Sequence, residues 1–64
     1  MNASTERKIW SLQRELDMRQ GVYPKLVAQG RMTQHFAEEE IEVLKDILSD
    51  YRKQHRQNQD AMDV

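Results

Sequence analysis

The sequence predicts an all-α fold, an antiparallel helical hairpin, from three observations. An apolar stripe of heptad spacing runs through the second half, a matching but interrupted stripe runs through the first, and a glycine-centred turn separates them. In the second half Ala37, Ile41, Leu44, Leu48 and Tyr51 recur at alternating steps of four and three, the seam of a helix that packs along its length. Phe36, Val43 and Ile47 make a second stripe beside it. Two adjacent seams are wider than one partner helix covers, which predicts four or more helices in the assembled particle.

Helix one is expected over about 4–29. Ser4 or Thr5 is placed to cap its first amides, with Glu6 in the favourable first turn. Ile9, Leu12, Leu16, Arg19, Tyr23 and Leu26 continue one face at helical spacing, so an arginine interrupts an otherwise apolar seam. Gly21 and Pro24 disturb the helix, because proline lacks an amide hydrogen and disfavours helical geometry at the residue before it. A kink or short break is therefore expected near 21–24, close to Tyr23-Pro24. Gly30 closes the helix as its C-terminal cap, and Thr33 opens helix two, expected over about 34–57, with Met32 and Ala37 as a modest hydrophobic staple. Residues 1–59 then form a single domain, and residues 60–64 are expected to be a flexible tail.

Composition narrows the function. At 64 residues the chain buries only a modest core, and it has no cysteine, so disulfides, thiol nucleophiles and thiolate metal sites are excluded together. Self-association, with a homodimer favoured, is the expected compensation. The absence of cysteine fits a reducing cytoplasm. No apolar run is long enough for a membrane span, and no apolar segment follows the N-terminus as a secretion signal would require. Net charge is −1, but it is unevenly distributed. Arg7, Lys8, Arg14, Arg19, Lys25 and Arg31 make the first half basic, whereas Glu38, Glu39, Glu40, Glu42, Asp46 and Asp50 make the start of helix two acidic. Opposite charges on successive helices favour pairing, within a chain or between chains.

No catalytic constellation is visible. His35 and His55 lack metal-ligand spacing, and Glu38-Glu39-Glu40 point about 100° apart around a helix and do not converge. The chain is read as a binding protein and not an enzyme, with no cofactor and no metal. The residues singled out for partner binding are Trp10, Arg19, Tyr23, Lys25 and Arg31. Trp10 lies beside the seam, where it is either buried in a dimer interface or exposed as a binding anchor. Arg19, Lys25 and Arg31 with the Tyr23 ring would offer guanidinium, ammonium and aromatic groups to an anionic partner. The competing reading is structural: Arg19 pairs with Glu15 one turn earlier, or with an acid of helix two, and Tyr23 fills the seam. An alternative function is an oligomeric binder of an anionic small ligand such as a nucleotide, held by Arg19, Tyr23 and Lys25. A weaker one is a nucleic-acid adaptor using the basic segment Arg52, Lys53, His55 and Arg56.

The run Arg14-Glu15-Leu16-Asp17-Met18-Arg19, then Val22-Tyr23-Pro24, Val27, Gly30-Arg31-Met32, Ala37, Glu40-Ile41 and Ile47-Leu48 resembles small helical proteins encoded by bacteriophages and prophages. Their pattern reads approximately R-E-L-x-M-R-x-x-V-Y-P-x-x-V-x-x-G-x-M, followed by A-x-x-E-I and a closing apolar helix. The similarity covers about Arg14 to Tyr51, and Gly21 departs from it, standing where a longer residue is usual. The resemblance implies an accessory phage product. Small phage proteins often act stoichiometrically by binding a host enzyme, a defence component or a signalling molecule, and binding to a host protein in the bacterial cytoplasm is the expectation.

Overall fold

In the computed structural model the chain forms two helices, α1 (Thr5–Ala28) and α2 (Gln34–Met62), joined by a short turn. The structure describes residues 3–62, with side chains as far as Arg56. Contacts pair Glu6 with His55, Lys8 with Tyr51, and Arg19 with Glu40, so the helices run antiparallel and these residues lie level with one another. This is the all-α hairpin that the two apolar stripes predict.

Local chemistry fixes the ends of the helices. The Ser4 hydroxyl accepts a hydrogen bond from the Arg7 amide at 3.1 Å, and the Thr33 hydroxyl does the same for the Phe36 amide at 3.1 Å. At the turn Gly30 adopts φ +71°, a left-handed conformation that a Cβ would strain. The Arg31 amide reaches back to the Leu26 carbonyl at 2.9 Å and the Gly30 amide to that of Val27 at 3.0 Å. This pair of bonds is the Schellman closure, which occupies carbonyls that the helix end would otherwise leave open.

α1 runs as one continuous helix through Gly21 and Pro24, so of the kink or short break expected near 21–24 the break is not adopted. The reason is exposure. Pro24 and Gln20 both face water, so the Gln20 carbonyl, which has no proline amide to accept, can be hydrated. Tyr23, Leu26 and Val27, on the inner side, keep the last turns against α2. α2 likewise continues past its expected end at about 57 to Met62. Gln59, Ala61 and Met62 are good helix formers, and no Gly or Pro stands between Asn58 and Met62. Of the expected tail, residues 60–62 are helical, and Asp63 and Val64 lie outside the described residues.

The core is small. Leu16, Leu44 and Leu48 are buried together, with Ile9, Leu12 and Ile41 packed around them, and Ala37 is buried nearer the turn. The first stripe of α2 thus faces α1 as its spacing requires. The second does not: Phe36, Val43 and Ile47 remain 40–49% exposed.

Candidate interaction surfaces

The antiparallel arrangement brings the start of α1 and the end of α2 together at the open end of the hairpin. Lys45, Ser49, Arg52 and Arg56 follow one another along α2 at steps of four, three and four, one stripe of a helix. With Lys53 and with Gln13 of α1 they line a shallow groove of about 260 Å³, floored by the buried Leu16 and Leu48. Arg52 donates a hydrogen bond to the Gln13 side-chain carbonyl. Lys45 pairs with Glu42 at 3.5 Å. Among the described residues no carboxylate pairs with Arg52, Lys53 or Arg56.

Trp10 stands one helical turn before Gln13, a residue of this groove. It is 50% exposed, and two guanidinium groups bracket it: Arg7 Cζ lies 4.2 Å and Arg14 Cζ 5.6 Å from its ring centroid. Both arginines are thereby held over the Trp10 ring by cation–π attraction, and Arg7 also lines a hollow with Lys8, Ser11 and Ile47 on the flank away from the groove. The open end therefore carries a rigid aromatic anchor inside a basic field.

The other sequence-predicted residues are not gathered with Trp10. Arg19 is only 25% exposed at its side chain and is engaged twice, to Glu15 at 3.1 Å and to Glu40 at 3.5 Å. Tyr23 is half-buried, with Arg19 Cζ 5.9 Å from its ring. The hollow beside it, lined by Pro24, Val27, Ala37 and Ile41, holds about 90 Å³. That is well short of the roughly 300 Å³ at which small-molecule sites begin. Lys25 and Arg31 are exposed near the turn, at the other end of α1 from Trp10. The geometry at Arg19 and Tyr23 thus favours the structural reading, since the guanidinium already has carboxylate partners and no cavity adjoins it.

The basic groove was legible only in part. Its four-three-four spacing is present in the sequence, but a run of charges at the end of a helix reads first as solvation and dipole complement. Only the topology adds Gln13 to it. Among the described residues no three His, Asp or Glu side chains converge to hold a metal ion, and no helix is long and apolar enough to cross a membrane. No family model matches the chain, and no curated protein or solved structure shows significant similarity to it.

Proposed function

We propose that the chain is an accessory protein of bacteriophage type that binds a bacterial host protein stoichiometrically, in the cytoplasm and without turnover. The basic open end recognises an acidic surface of that protein. The observation that carries this reading is the convergence of Lys45, Arg52, Lys53 and Arg56 on one groove beside the half-exposed Trp10. An aromatic anchor within a charged rim is the composition of a protein-binding hot spot. Arg52, Lys53 and Arg56, which have no carboxylate partner among the described residues, gain most from acids supplied by a partner. At about 260 Å³ the groove is smaller than sites that ordinarily enclose small molecules, which supports this reading over the small-ligand alternative. Two guanidinium groups already lie over the Trp10 ring, which leaves bases less room to stack there and weighs against single-stranded nucleic acid. The chain works as a homo-oligomer of hairpins, a dimer being the simplest.

The test is a pulldown of tagged chain from bacterial lysate, read by mass spectrometry beside an Arg52→Glu, Arg56→Glu double variant and a Trp10→Ala variant. One host protein at near-equimolar recovery, released by high salt and lost with both variants, is the expected result. Equal recovery by wild type and charge-reversed chain would remove the proposal.

A further inference from the structure

Five large apolar side chains are left uncovered on one flank. Ser11, Met18 and Val22 follow one another on α1 at steps of seven and four, and Phe36, Val43 and Ile47 do so on α2. Because the helices are antiparallel, Ser11 stands beside Ile47, Met18 beside Val43 and Val22 beside Phe36. Ser11 and Ile47 indeed line one hollow of about 410 Å³, together with Leu12, Lys8 and Tyr51. Met18, Val22, Phe36, Val43 and Ile47 are each 40–53% exposed, so this flank holds more large apolar side chains than the buried core of Leu16, Leu44 and Leu48.

We infer that this flank is covered by the same flank of a second copy, forming a four-helix bundle whose two-fold axis runs parallel to the helices. Three arguments select that occupant and that axis. The area fits: about 36 Å of α1 at 1.5 Å per residue, by the 22 Å width of the hairpin, is on the order of the 800 Å² per partner that a stable interface buries. The rows fit: with the axis parallel to the helices, α1 of one copy lies antiparallel to α2 of the other with levels preserved. Met18 then meets Val43, Val22 meets Phe36, and Ile47 enters the hollow beside Ser11. The charges also fit. Arg7, Arg14 and Lys25 edge this side of α1, and Glu39, Asp46 and Asp50 edge this side of α2. The parallel axis sets bases against acids, whereas a perpendicular axis would set α2 on α2 and acid on acid. The reading is independent of the basic groove, which lies on the opposite flank.

Sedimentation equilibrium of the purified full chain tests it, with circular dichroism to verify that each variant remains helical. Wild type should sediment as two chains, and Val43→Glu as one, with Val43→Ser as the milder substitution should the charged variant unfold. Reversing Asp46 and Asp50 to lysine should weaken association about tenfold, since each pair occurs twice across the axis. Adding Arg14→Glu and Arg7→Glu to that variant should restore it. A monomeric wild type across the micromolar range would overturn the inference, as would a Val43→Glu chain that keeps the mass of two. Association unchanged by the reversals, or not regained on compensation, would overturn the parallel axis. Host-protein capture by a monomeric Val43→Glu chain would leave the proposed function standing by itself.

Discussion

Arg19 of α1 spans the hairpin to Glu40 of α2, its Nη1 standing 3.5 Å from both the carboxylate and the main-chain carbonyl oxygen of that residue. A single charged residue on an apolar seam is thereby satisfied from the opposite helix, while its Nε donates to Glu15 on its own helix at 3.1 Å. The guanidinium acts as a tie at mid-length. Its partners are partly exposed, so the tie is screened and its contribution is small.

Arg19→Ala should therefore destabilise the hairpin by about 1 kcal/mol or less. Arg19→Met, which keeps the apolar stem, should lose less than the alanine variant. Urea unfolding followed by circular dichroism checks both. A loss several times larger would mean that Arg19 carries more of the fold than its exposure suggests.

Leu48 is the most buried residue, 2% exposed, in a core with few members. Leu48→Ala should remove about 3 kcal/mol, the transfer and cavity contributions of a deleted leucine. In so small a domain that is a large share of the total stability. The helical signal at room temperature should fall sharply at low chain concentration and recover in part at high concentration, because association favours the folded form.

The two glycines should respond with opposite sign. Gly21 lies within α1 with open space where a Cβ would go and no positive φ. Gly21→Ala should stabilise the chain by about 0.5–1 kcal/mol. Gly30, at φ +71°, has open space as well, but its backbone is the obstacle. Gly30→Ala should destabilise by about 1 kcal/mol. Paired thermal melts should move in opposite directions.

Pro24 is exposed and lies inside a continuous helix. Pro24→Ala supplies the amide that the Gln20 carbonyl lacks and should raise the melting temperature, by up to about 2 kcal/mol in stability. A lower melting temperature would show instead that the ring itself packs against α2.

Much of this fold could be read from residue spacing. The seam from Ala37 to Tyr51, the Thr33 cap and the left-handed Gly30 each rest on local rules that no distant residue overrides. Pro24 left a kink and a break both open, because the strength of a helix breaker depends on what surrounds it. Its outward-facing side and the apolar contacts of Tyr23 and Val27 hold the helix together, and neither is local. Arg19 was legible as an ambiguity, and the geometry at Glu15 and Glu40 favours the structural side of it. The basic open end was the hardest to foresee. It joins Gln13 and Trp10 near one end of the chain to Arg52 and Arg56 near the other, and their proximity exists only once the hairpin closes.

The most direct measurement uses the single tryptophan. A chain labelled with 5-fluorotryptophan carries one fluorine resonance, at Trp10, and can be titrated with the host protein recovered by pulldown. The account predicts that this resonance shifts and saturates at one host protein per hairpin, and that Arg52→Glu with Arg56→Glu abolishes the change. A resonance that stays unmoved while the two proteins demonstrably bind would contradict recognition through the open end.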